Sequence, residues 1–228
     1  MKMKTSLGVH DMQPYYLYMC ARRHGFRENP KDCGMSFTDP FKKIDETIYT
    51  TITNGWNLQN AFCRMSNSLD TIEIVGHIFD QKLNLLEPSV NRLPDGTWMA
   101  IVRTETGNYE GNFAFTFSAD GTTWEPANFT DLIPNGMESK PTFDLFNGVY
   151  YLGWQESTQI NGVHRSVFNI ETSTDGKTWI RKYRFEAERS FQYPTFKLYN
   201  GHVWLVVTEG NKGPWGNSKE RIMFGMLE

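Results

Sequence analysis

The sequence predicts an all-β fold, a β-propeller of four-stranded antiparallel blades, because a hairpin unit recurs about every 53 residues and a turn motif recurs in phase with it. Three hairpin segments align without gaps at their start: EPSVNRLPDGTWMAIVRTE from Glu87, KPTFDLFNGVYYLGWQES from Lys140 and YPTFKLYNGHVWLVVTEG from Tyr193. Their prolines, Pro88, Pro141 and Pro194, stand 53 residues apart, and the glycines Gly96, Gly148 and Gly201 keep that period to within one residue. A weaker copy, DPFKKIDETIYTTITNG, begins at Asp39. Each unit reads as a strand, a tight turn, and a second strand rich in β-branched and aromatic residues.

Downstream of each hairpin lies the second repeated element. FSADGTTW carries Ser118, Asp120, Gly121, Thr123 and Trp124, and STDGKTW carries Ser173, Asp175, Gly176, Thr178 and Trp179, 55 residues later. SNSLDTIE from Ser66 is a degenerate version. Strand-like runs flank each motif and no long stretch has helical periodicity, so the unit is a four-stranded meander. The chain is therefore expected to be one domain over 1–228, with an N-terminal segment 1–32 and repeats near 33–80, 81–132, 133–186 and 187–228. The last unit offers RIMFGML as its third strand and no fourth; an N-terminal strand near Tyr15–Ala21 is expected to fill that edge and close the ring.

The bulk numbers narrow the partners. A formal net charge of −3 gives no electrostatic reason to expect nucleic acid. No apolar run reaches the roughly 20 residues of a membrane span, and the N-terminus lacks the continuous apolar core of a signal peptide. The compartment is left open. Cys20, Cys33 and Cys63 are sparse and the five histidines scattered, so neither a metal nor another cofactor is expected.

Blade geometry assigns a side to each residue. The residue before each proline, Asp39, Glu87, Lys140 or Tyr193, starts the innermost strand and is expected to be extended. The second strand returns to the same rim 15 positions after each proline, at Gly55, Arg103, Glu156 and Glu209. One mouth of the channel thus collects Asp39, Glu87, Arg103, Lys140, Glu156, Tyr193 and Glu209, polar and different in every blade, as a binding site would be. A set of mutually paired charges, such as Lys140 with Glu156, is the alternative. The turn motifs lie at the opposite rim, where their Asp accepts backbone hydrogen bonds and their Trp packs between blades.

The S-x-D-(x)-G-x-T-W motif resembles the Asp-box, or BNR repeat, of sialidases and related propellers. Sialidases are similar to one another in having a glutamate, an arginine 16 residues on, a distant arginine, and then a tyrosine somewhat under thirty residues later. Here Glu87 and Arg103 are 16 apart, and Arg165 lies 28 residues before Tyr193 at the start of a third strand, hence at the same mouth. The resemblance covers about residues 40–228 and implies a glycoside hydrolase acting on a sialic acid or another acidic glycan. Tyr193 would be the nucleophile, with Glu87 as its base and Asp39 as the candidate acid. Arg103 and Arg165 would bind the substrate carboxylate, with Lys140, Glu156 and Glu209 as further substrate contacts. The chemistry fits the residue types. An arginine fork binds a carboxylate through two parallel charge-assisted bonds. A neutral phenol escapes the repulsion a carboxylate nucleophile meets beside an anionic sugar, and its ordinary pKa of about 10 calls for a base.

Three departures keep other readings open. Sialidases normally have six blades, an early arginine in a motif like F-R-I-P, and an aspartate acid soon after it; here only four repeats are recognisable and Phe26-Arg27 is a poor echo. Arg22, Arg23 or Arg27 would have to supply the third cation. The second reading is a non-catalytic propeller that binds glycan or protein at the same mouth. A third is a glycosidase with a carboxylate pair drawn from Asp39, Glu87 and Glu156.

Overall fold

The computed structural model describes residues 2–5, 8–11, 35–54, 59–104, 112–136, 138–210 and 219–228, and these form strands and turns with no helix. Four antiparallel sheets are arranged as a four-bladed β-propeller. The first blade holds β1 (Lys2–Thr5), β2 (Gly8–Asp11), β3 (Met35–Phe37), β4 (Lys42–Ile44), β5 (Thr47–Asn54), β6 (Gln59–Met65) and β7 (Thr71–Ile78). The second holds β8 (Leu85–Arg92), β9 (Trp98–Thr104), β10 (Phe113–Ser118) and β11 (Asn128–Phe129). The third holds β12 (Thr142–Phe146), β13 (Val149–Gln155), β14 (Val167–Ser173) and β15 (Ile180–Glu186). The fourth holds β16 (Phe191–Tyr199), β17 (His202–Gly210) and β18 (Lys219–Leu227).

The turns form as their residues dictate. Asn147-Gly148 and Asn200-Gly201 join their strands through two residues of positive φ, the mirror-image turn that matches strand twist. Asp45-Glu46 makes the same turn without a glycine, with φ of 48° and 66°. The core sits between blades, and the two-residue period of a strand splits it. In β9, Trp98, Ala100 and Val102 join Phe62 of the first blade, while Met99 and Ile101 join Phe143, Tyr150 and Trp154 of the third. Phe168 and Ile170 pack on Phe196, Val203 and Leu205 in the same way.

The repeated turns lock each outer rim. Asp120 Oδ1 accepts the amides of Thr122 at 2.8 Å and Thr123 at 3.0 Å, and the Gly121 amide donates to Ser118 Oγ at 2.9 Å. Asp175 and Ser173 repeat the pattern with Lys177, Thr178 and Gly176. Gly176, at φ 71°, lies beneath Leu93 of the second blade, into which any Cβ would collide.

Two expectations about strand starts are corrected. The innermost strand of the first blade does not begin at Asp39; it is split into β3 and β4, with Asp39-Pro40 bridging them. Glu87 and Tyr193 are not extended but left-handed, at φ 53° and 51°, because β8 and β16 each shift register around them, between Leu86 and Ser89 and between Gln192 and Thr195. Such a bulge bends the strand and re-aims a side chain. Asp39 and Lys140 do not share the left-handed geometry. The N-terminal strand β1 pairs in parallel with β7 of the first blade, and in the fourth blade β18 is the outermost described strand. Tyr15–Ala21, Cys20, Cys33, Gly55, Arg22, Arg23 and Arg27 lie outside the described residues.

Candidate functional site at the channel mouth

All four blades contribute to one cavity of about 400 Å³ at the end of the channel where the innermost strands begin. Its lining includes Asp39 and Phe37 of the first blade, Glu87 of the second, Lys140 of the third, and Tyr193 and Thr195 of the fourth. That volume is in the range of small-ligand pockets. Tyr193 is half-exposed there.

Beside it lies an arginine pair. Arg103 Nη1 is 3.1 Å from Glu87 Oε2, and its Nη2 is 3.9 Å from Glu138 Oε1. Arg165 donates from Nε to the backbone carbonyl of Glu138 at 2.9 Å. Burial and the Arg103 guanidinium push Arg165 below its ordinary pKa, while Glu138, Tyr193 and Glu87 pull the other way. These groups therefore lie within its electrostatic reach. Arg165 is itself left-handed, at φ 58°, so Glu87, Arg165 and Tyr193 all sit in backbone that L-residues rarely adopt. Conformations of this kind cluster at functional sites.

Below the mouth the channel is closed by buried charge. Lys42 Nζ reaches Asp39 at 2.8 Å, Val90 O at 2.9 Å, Ser89 Oγ at 3.1 Å, Asp144 at 3.4 Å and Phe143 O at 2.5 Å, so one ammonium ties three blades together. Asp39 also accepts from Ser89 Oγ at 2.7 Å and the Val90 amide at 3.0 Å. Burial, with the Asp39 charge adding to it, pushes the Asp144 carboxyl up against the pull of Lys42. Burial likewise pushes the Lys140 ammonium down; its Nζ donates to Pro141 O at 3.0 Å.

Of the residues expected at the mouth, the structure brings together Glu87, Arg103, Arg165, Lys140, Tyr193 and Asp39, and it separates Glu156 and Glu209 from them. Glu156 does not pair with Lys140. It turns into its own blade, accepting from Asn169 at 3.2 Å and from Arg184 at 3.2 and 3.3 Å. Burial raises its pKa, but Arg184, Thr158 and Asn169 outweigh that and hold the carboxyl at about 2. Glu209 is likewise gripped by Arg221 at 3.1 Å through both Nε and Nη2 and by Arg189 at 3.4 Å. Both are buried carboxylates satisfied by arginines within their own blades. Glu138 and Lys42, which contact the arginine pair and brace the channel floor, are not among the residues expected from the sequence. A signal for the floor was present: Ser89/Asn91 and Thr142/Asp144 are polar residues one and three places after the proline in otherwise apolar strands.

Among the described residues no group of three or more His, Cys, Asp and Glu side chains is placed to hold a metal ion. No helix among them is long and apolar enough to cross a membrane. No family model matches the sequence, and no curated protein matches it. Solved structures do. A GH32 β-fructofuranosidase from Bombyx mori is similar with a TM-score of 0.57 and 14% identity, over 88% of this chain and 48% of that one. An exo-β-1,3-galactanase from Phanerochaete chrysosporium has a TM-score of 0.59 and 11% identity, over 77% and 44%. An α-L-arabinofuranosidase from Fusarium graminearum, solved with an iminosugar inhibitor, has a TM-score of 0.53 and 20% identity, over 87% and 62%. The chain spans about half the length of the first of these. What it shares with these glycosidases is the propeller fold.

Proposed function

We propose that this chain is a propeller of the glycoside-hydrolase type that takes an acidic carbohydrate, a sialic acid in the first instance, at the mouth of its channel. One observation carries the reading: Glu87, Arg103, Arg165 and Tyr193, drawn from three blades, converge beside one cavity, and three of the four are held there in left-handed backbone. Arg165 fixes the ligand's carboxylate through its terminal nitrogens, which make no hydrogen bond to any described residue, and Arg103 supports it from the Glu87 side. Tyr193 attacks the anomeric carbon as its phenolic proton passes to Glu87, and the glycosidic C–O bond breaks as the departing alcohol takes a proton, for which Asp39 of the cavity lining is the candidate donor. The sugar-active neighbours support a carbohydrate ligand, and the paired guanidiniums support an acidic one.

Binding without hydrolysis is the second reading, favoured by the state of Asp39. Its two oxygens are engaged by Ser89, the Val90 amide and Lys42, an arrangement that braces the blades together. The decisive measurement is turnover of a fluorogenic α-sialoside beside a panel of neutral furanosides. Hydrolysis of the sialoside that is lost in Tyr193→Phe establishes the enzyme. Arginine-dependent binding of sialic acid without turnover establishes the binder. Turnover of neutral furanosides alone would overturn the acidic-sugar reading.

A further inference from the structure

Two guanidiniums that crowd one another need a counter-charge when no ligand is present. Burial depresses the pKa of Arg165 and the Arg103 charge depresses it further, so the two guanidiniums repel one another. Glu87 answers Arg103 from one side at 3.1 Å. On the other side stands Glu138, which meets the two arginines by different chemistry: its carboxylate lies 3.9 Å from Arg103 Nη2 and its backbone carbonyl accepts Arg165 Nε at 2.9 Å. The backbone contact is a fixed strut. The carboxylate contact is long, and the Glu138 side chain keeps 28% of its surface exposed, so it is free to swing away.

Resting on the acidic-sugar reading, we propose that the Glu138 carboxylate is a built-in counter-anion: it neutralises the Arg103–Arg165 pair in the empty site and gives up that place to the carboxylate of an incoming sugar acid. Three consequences follow from charge alone. The empty site is stable because its positive charges are balanced. A neutral sugar does not displace Glu138, because it brings no charge to replace the one removed. Affinity for the acid is held below what two unopposed arginines would give, because the ligand first competes with an anion already at hand. Glu138 is thus a specificity-determining residue whose side chain acts on ligand choice while its carbonyl positions Arg165.

Glu138→Gln separates the two roles, since it removes the charge and keeps both the carbonyl and the side-chain shape. In this variant sialic acid should bind roughly five- to tenfold more tightly at low ionic strength, with the gain shrinking as salt is added, while the methyl ester of sialic acid binds unchanged. Thermal melting in inorganic sulfate gives a readout independent of the sugar. The variant without sulfate should melt below the wild type, and sulfate should raise its melting temperature but leave that of the wild type nearly unchanged. Equal sulfate response in the two proteins, or weaker sialic-acid binding by the variant, overturns the counter-anion. If neither protein binds sialic acid while the sulfate response differs as expected, the counter-anion stands and the choice of ligand is wrong. Glu138→Asp should return both readouts toward the wild type.

Discussion

The left-handed backbone at Tyr193 makes an unusual prediction about glycine. Ordinarily glycine is worse than alanine at an ordered position by about 0.5–1 kcal/mol, because it loses more freedom on folding. At φ 51° the balance reverses, since an L-residue in that region is strained by roughly 1–2 kcal/mol that glycine escapes. Tyr193→Gly should therefore be more stable than Tyr193→Ala by about 0.5–1 kcal/mol, a difference of roughly 2–4 °C per kcal/mol in melting temperature for a chain of this size. Both variants remove the same atoms beyond Cβ, so packing losses cancel in the comparison. Lys140 is the control: it also precedes a proline at the start of an inner strand but is not left-handed, so there alanine should beat glycine by a similar amount. Urea unfolding followed by tryptophan fluorescence measures all four variants. Alanine superior to glycine at both positions would refute the bulged geometry at Tyr193 and, with it, the argument that strain marks the site.

Further outcomes follow from other features. Gly176→Ala should cost about 1–3 kcal/mol by urea unfolding, since its Cβ meets Leu93 and its φ is positive. Because Glu156 is held at about 2 in the folded chain, below its unfolded value, its stabilisation is present above the ordinary carboxylate range and lost as pH falls towards 2; melting temperatures of wild type and Glu156→Gln should converge across that interval. Lys42→Met leaves Asp39 and Asp144 without their shared cation and should cost about 3–5 kcal/mol by urea unfolding, part of which Asp144→Asn in the same chain restores.

Much of the architecture was legible because it repeats. Prolines at a fixed period mark the inner strands, and Asn-Gly pairs mark the hairpins. Strand direction puts Arg103 and Arg165 on the rim of Glu87 and Tyr193, and in the structure Arg103 pairs with Glu87 while Arg165 feels Glu87 and Tyr193. What a repeat cannot show is a departure from itself. The same rim position is Arg103 in the second blade, but in the third and fourth it is a glutamate captured by Arg184, two strands away in the same blade, or by Arg221 on the next strand. Those capturing arginines are distant in sequence and carry no repeat signature. Nor does the sequence announce the bulges at Glu87 and Tyr193: a residue before proline is normally extended, and only the register shift of the paired strands overrides that preference. Glu138 escaped notice because half of what it does is done by its carbonyl, which every residue has.

The position of Lys42 has a consequence for time. Its ammonium contacts groups up to 101 residues away along the chain, and the full set of contacts exists only once three blades have come together. Each blade can form its own hairpins early, from neighbours in sequence, but closing such long loops is slow. The expectation is that the Lys42 network completes late, holding the finished ring rather than helping to build it. Interactions of this kind govern how fast a native structure is lost. Weakening the network should leave the refolding rate nearly untouched and shorten the lifetime of the folded state, so the lysine that closes the channel floor is also what sets the propeller's endurance.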